Sequence, residues 1–153
     1  MEDVADASGI TRLIVYRNFA SKEDLYRAVL ERVATRLGEE FAGAQSAVQP
    51  LLKVAREDPD AFRLLWVHAA HESQFAGYAA DFREAAVELA DEIVGSRIAD
   101  RRLRRWAMIV IVDHLYDAVL TWLDVGDPGR DEEFVLATSA GLRALVTAWG
   151  ATR

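Results

Sequence analysis

The sequence contains no cysteine, which excludes disulfide bridges, thiolate metal sites and thiol nucleophiles, and fits a reducing, cytoplasmic setting. Only three prolines interrupt it, Pro50, Pro59 and Pro128, so long helices are free to form. Basic charge is in the minority: 18 Lys+Arg stand against 25 Asp+Glu, for a net charge of −7. Bulk charge is therefore excluded as a means of coating nucleic acid or an anionic membrane, while a local basic site stays open. The longest apolar stretch, Trp106 to Val112, is cut by Asp113, His114 and Asp117, well short of the roughly 20 residues that cross a bilayer. Met1-Glu2-Asp3 lacks the positive start of a secretory signal, and no membrane partner is expected. What the chain has in quantity is apolar side chain, 52% of 153 residues, enough for one folded domain with a sizeable core.

Apolar residues recur three and four apart rather than alternately, so the expected fold class is all-α. The pattern predicts helices at about residues 2–8, 12–19, 22–42, 47–57, 60–74, 78–95, 100–124 and 131–149. Thr11 before Arg12, Ser21 with Asp24 three residues on, and Pro59-Asp60 are helix starts. Gly9, Gly95 and the run Gly126-Asp127-Pro128-Gly129 are stops.

Charge is distributed unevenly. Residues 1–36 hold six acids and six bases, leaving 19 acids against 12 bases for the remainder. Within the first part, Gly9 to Lys22 carries Arg12, Arg17 and Lys22 and no acid, so one short surface can face phosphate. The same region has the mechanics of a helix-turn-helix. Ala5 is small where two helices approach, Gly9 permits the left-handed backbone of a turn, and Ile10 can plug the angle between the helices. Val15 and Phe19, four apart, point inward, while Arg12, Tyr16 and Arg17 spread over other faces.

Val4-Ala5, Gly9-Ile10-Thr11, Val15-Tyr16-Arg17-Asn18-Phe19 and Ser21-Lys22-Glu23-Asp24-Leu25-Tyr26 strongly resemble the TetR family of transcriptional regulators. The resemblance covers about the first 35 residues; beyond them only the helical architecture matches. It implies a DNA-binding segment over residues 1–36, running into a connecting helix, and a helical effector-binding and dimerisation domain over 37–153. It also implies that Thr11, Arg12 and Arg17 lie at or near bases in the major groove, and Tyr16, Asn18 and Lys22 on the phosphate backbone. Leu13 and Ile14 either touch thymine methyls or shield the core. The family's DNA-binding unit has a further helix before the one that begins here at Met1. The resemblance thus implies that this segment is incomplete and that Met1 is a truncation or a misplaced start.

In the body, residues 60–82 collect Phe62, Trp66, His68, His71, Phe75, Tyr78 and Phe82. Each is either core packing or part of an effector cavity. The expected effector contacts are Phe62, Trp66, His71, Phe75, Tyr78 and His114, around a hydrophobic or aromatic small molecule. His68, His71 and His114 match no zinc hydrolase spacing, and no nucleophile elbow or phosphate-binding glycine loop is present. No catalytic residue, metal or cofactor is expected. The last two helices are apolar on more than one face, which predicts an isologous homodimer. Its expected contacts are Ile109, Val112, Tyr116 and Val119 with Thr138, Gly141, Leu142 and Leu145. The Arg101-Arg102-Leu103-Arg104-Arg105 cluster, near Glu88, Asp91 and Glu92, reads as a solvated face.

These readings converge on a TetR-like, DNA-binding transcriptional repressor, a homodimer released from a palindromic operator by a small-molecule effector. The alternative is a dimeric ligand-binding module that does not bind DNA because the first helix is absent. A metal hydrolase built on the histidines is a more distant rival.

Overall fold

A computed structural model describes residues 19–44 and 46–151. The described chain is helical: α1 Lys22–Phe41, α2 Val48–Glu57, α3 Pro59–Arg63, α4 Ala76–Val94, α5 Arg101–Val125 and α6 Asp131–Gly150. No strand occurs among the described residues. The helices predicted at 2–8 and 12–19 lie outside them or at their edge.

Local chemistry sets the helix ends. The Ser21 hydroxyl accepts a hydrogen bond from the Asp24 amide at 3.0 Å, satisfying one of the unpaired donors of the first turn. Asp58 and Asp100 do the same for Ala61 (3.1 Å) and Leu103 (2.7 Å). The Asp58 cap is followed by Pro59, whose missing amide costs nothing at a first helical position. Gly43 turns the chain after α1 with φ of 76°, a backbone state that glycine reaches without a Cβ clash. Between α5 and α6 the Asp127 carboxylate accepts from the Gly129 amide at 2.8 Å, closing the predicted break.

One predicted element is different in kind. The helix expected over 60–74 is α-helical only to Arg63, then passes through a π-type turn over Leu64–His68 and a 3-10 turn over Ala69–His71. A π turn inserts an extra residue into the helical repeat and rotates the side chains beyond it onto new faces. Phe75, beyond both turns, is buried, while His68 and His71 are exposed.

Helix α5 is the central element. It buries Ala107, Met108, Ile111, Val112, Leu115, Tyr116 and Val119 against α4, α2 and α6. Among the described helices it alone is long and apolar enough to cross a membrane, with a mean hydropathy of 1.4 over its most apolar window. One apolar face forms the core of the bundle, while Trp106, Ile109 and Val125 stand exposed on the rest of the helix. Helix α6 is attached more lightly, and Val146 is its one buried residue. Ion pairs tie the outer faces, among them Arg104 to Asp91 and Arg105 to Glu84 at 2.6 Å. The 101–105 basic cluster is thus partly neutralised by α4.

Candidate functional site

A cavity of about 520 Å³ lies between four helices, within the size range of small-molecule sites. Helix α1 contributes Ala34, Leu37, Gly38 and Phe41; α5 contributes Ile111, Val112, Leu115 and Tyr116; α6 contributes Ser139, Leu142, Arg143 and Val146. The α4 wall repeats at helical spacing: Phe82, Ala85, Ala86, Leu89, Ala90, Ile93 and Val94, with Arg97 just beyond. Alanines line much of it, so space arises because short side chains leave the gap between packed helices unfilled. Ile93, one of the lining residues, is 48% exposed.

One end of the cavity is aromatic. The Tyr116 ring stacks on Trp66 at 3.8 Å between centroids and on Phe62 at 5.6 Å, and meets Phe82 edge-on at 6.1 Å. Above Trp66 lies the Arg83 guanidinium, 4.2 Å from the ring centre and paired with Asp113 at 2.9 Å. Burial pushes the Tyr116 phenol well above its ordinary value near 10, because a phenolate would lose its water there. Tyr116 is therefore a neutral hydroxyl in the cavity wall.

The expected effector residues stand elsewhere. Phe62 and Trp66 are core residues behind Tyr116, Phe75 is buried against Tyr26 at 4.2 Å, and Tyr78 is half-buried. His71 is on the surface, and none of these lines the cavity. His114 is exposed at a second, shallower depression of about 370 Å³ with Asp117, Trp122 and Phe134. The described residues contain no group of three or more His, Asp or Glu side chains arranged to hold a metal ion. The cavity residues missed by sequence reasoning are mostly small and aliphatic side chains spread over α1, α4, α5 and α6, whose only signal is a three-to-four periodicity shared with any core face.

The expected dimer contacts divide. Val112, Tyr116 and Val119 are at most 4% exposed and lie inside the chain's own core, because α5 turns that face toward α4 and α2; they cannot meet a second copy. Leu142 faces the cavity, and Thr138 and Leu145 are half-buried. Ile109 and Gly141 are exposed.

Of the expected DNA contacts, Thr11, Arg12, Tyr16, Arg17 and Asn18 lie outside the described residues. Lys22 is exposed in the first turn of α1, beside the exposed acids Glu23 and Asp24 and the Ser21 cap. The neighbouring carboxylates offset the pull of the helix N-terminus on an anion, which leaves the lysine ammonium as the cationic group of that turn.

Residues 1–29 match the family model described as bacterial regulatory proteins, tetR family. The match ends inside α1, whose C-terminal half forms a wall of the cavity.

Proposed function

We infer that this chain, a TetR-family DNA-binding regulator by its residues 1–29, is a ligand-responsive repressor that acts as a homodimer on a palindromic operator. One observation carries the ligand response. A single unbroken helix, α1, begins within the matched DNA-binding segment and ends as the cavity wall at Ala34, Leu37, Gly38 and Phe41. Twenty residues of helix are about 30 Å long. A ligand that fills the cavity presses on one end of a stiff rod whose other end carries Lys22 and the segment before it. Two recognition helices set about 34–36 Å apart fit successive major grooves. A tilt of α1 in each subunit changes that spacing, so the ligand favours the state that releases DNA.

The dimer in this reading uses the outer face of α5 and α6. Leu136 is 70% exposed and Trp106 48%, and α6 presents Ala137, Ala140, Gly141 and Ala144 to solvent. Small side chains of this kind let a second helix approach closely. Thr11, Arg12 and Arg17 would read bases, with Tyr16, Asn18 and Lys22 on phosphates.

The test is fluorescence anisotropy with duplex DNA from upstream of the chain's own gene, at several salt concentrations. Specific binding that exceeds binding to scrambled DNA, and that Gly38→Trp alters by filling the cavity from α1, supports the regulator. A dimer with no preference for any upstream duplex would instead favour a ligand-binding module.

A further inference from the structure

The wall of the cavity offers little to a charged ligand. Among the described residues no carboxylate lines it, so a cation would find no counter-ion. Its two charged lining residues, Arg97 and Arg143, are exposed, and the long arginine stem lets the charged head stay in water. The rest is mainly alanine, leucine, isoleucine and valine from α1, α4, α5 and α6. An unpaired charge moved against such a surface loses its hydration without compensation, so the cavity selects for uncharged molecules.

Of the uncharged polar residues that line it, Ser46 is exposed, which leaves Tyr116 and the half-buried Ser139. Tyr116 is 4% exposed, and Trp66, Phe62 and Phe82 hold its ring in place. What it offers a ligand is therefore its hydroxyl. Burial alone raises that phenol and no hydrogen bond contributes, although a buried hydroxyl ordinarily has a partner. Tyr26 is the contrasting case: among the described residues its Oη is the side-chain polar atom sealed off without a partner, whereas Tyr116 borders the open space of the cavity. Ser139 belongs to the same region. Trp106 meets Trp149 and Trp122 meets Phe134, so α5 and α6 lie side by side and antiparallel. At a rise of about 1.5 Å per residue, Ser139 stands nearly as far from Phe134 as Tyr116 does from Trp122. Two neutral hydroxyl residues thus share one level of an otherwise apolar cavity.

We propose that the cavity binds an uncharged, largely hydrocarbon molecule that presents one carbonyl oxygen to the Tyr116 hydroxyl. This rests on the reading of the cavity as the effector site and narrows it to a ligand class. The alanine-rich α4 wall packs the hydrocarbon, and the phenol O–H donates to the carbonyl. The match is selective because a carboxylate would bring a charge to a wall that has no buried cation to meet it.

The experiment uses the full chain and the neutral fluorophore N-phenyl-1-naphthylamine, displaced by compounds of similar shape. Diphenylmethane is the hydrocarbon, benzophenone differs from it by a carbonyl, and diphenylacetate carries a charge. Circular dichroism checks that each variant retains its helix; Tyr116→Phe removes one oxygen and keeps the ring that packs on Trp66. Benzophenone is expected to bind about tenfold more tightly than diphenylacetate. In Tyr116→Phe the affinity of benzophenone relative to diphenylmethane should fall about fivefold, the worth of one neutral hydrogen bond. If that ratio is unchanged, or diphenylacetate binds as tightly as benzophenone, the proposal is overturned while the cavity reading stands. If the fluorophore does not bind, or Gly38→Trp leaves its binding unchanged, the cavity is not an apolar ligand site and both fall.

Discussion

The carboxylate of Asp131 takes both prongs of the Arg56 guanidinium, at 3.1 and 2.8 Å. It also accepts the indole N–H of Trp122 at 2.6 Å, so one side chain ties α2, the end of α5 and the start of α6 together. The side chains of Asp131 and Arg56 are about a quarter exposed, 29% and 26%, enough shielding for a bidentate pair to outweigh an ordinary surface ion pair. Asp131→Asn should lower stability at neutral pH by about 1–2 kcal/mol in a urea melt. The pair holds the Asp131 carboxyl below its ordinary 3.8, with Arg56 the first cause. A depressed carboxyl contributes stability above its unfolded value and loses it as pH falls through its folded value. The difference between wild type and Asp131→Asn should therefore shrink below about pH 4; a constant gap down to pH 2 would remove Asp131 from the acid response.

Two glycines make opposite predictions from their surroundings. Gly38 sits inside α1, and a Cβ there would meet nothing within 4 Å. Gly38→Ala should stabilise by about 0.5–1 kcal/mol, because alanine loses less backbone freedom in a helix. At Gly150 a Cβ would lie 2.5 Å from the Arg97 carbonyl oxygen, a backbone atom with little room to yield. Gly150→Ala should cost about 1–3 kcal/mol. Denaturation midpoints that move in the same direction for both would contradict this packing.

Helix starts and stops were readable in the sequence where one residue does one job. Ser21, Pro59 and the Gly126–Gly129 break each act locally, through the Ser21 hydroxyl, the proline ring and the Asp127 carboxylate. The π turn over Leu64–His68 was not readable, because Pro59 to His71 has an ordinary helical pattern, and the stacking of Trp66 on Tyr116 brings together residues 50 positions apart. The candidate site was legible only in kind. Of the aromatic residues between Phe62 and Phe82, Phe62 and Trp66 fill the core behind the cavity, while Phe82 lines it together with Tyr116. A cavity made by Ala85, Ala86 and Ala90 is an absence of side chain, and only the relative placement of four helices makes it visible.

Tyr116 gives the alkaline prediction. Its phenol is raised above 10 by burial, so the fold favours the neutral form. That contribution is complete below pH 10 and is lost as pH rises through the higher folded value. In an ultraviolet titration Tyr116 should ionise last, after Tyr26 and Tyr78, whose phenols burial raises by less, and together with loss of helix. Tyr116→Phe should abolish that late step and change stability at neutral pH by no more than about 1 kcal/mol, since burial is the cause of the shift and no hydrogen bond contributes to it. Ionisation of every tyrosine near pH 10 with helix intact would contradict the burial.

The exposed face of α6 predicts the assembly. If Ala137, Ala140, Gly141 and Ala144 meet a second copy, Ala137→Glu or Gly141→Arg should convert dimer to monomer in sedimentation velocity while leaving the helical signal intact. The space around Gly141 within the chain is open, with nothing within 4 Å of a Cβ, so a monomer tolerates these side chains. A dimer that survives both changes would have to use another surface.

The DNA-binding assignments separate by salt. Arg17→Ala removes a side chain expected at a base edge and should weaken specific binding by about 1–3 kcal/mol at one position of the site. Lys22, exposed in the first turn of α1, is expected on phosphate; Lys22→Ala should weaken all duplexes alike and flatten the salt dependence by about one counterion. The neighbouring Glu23 and Asp24 sharpen the contrast. With the ammonium gone they leave that turn purely acidic, so Lys22→Ala should also slow association at low salt. Equal losses and equal salt slopes for the two variants would mean that base and phosphate contacts have been assigned to the wrong residues.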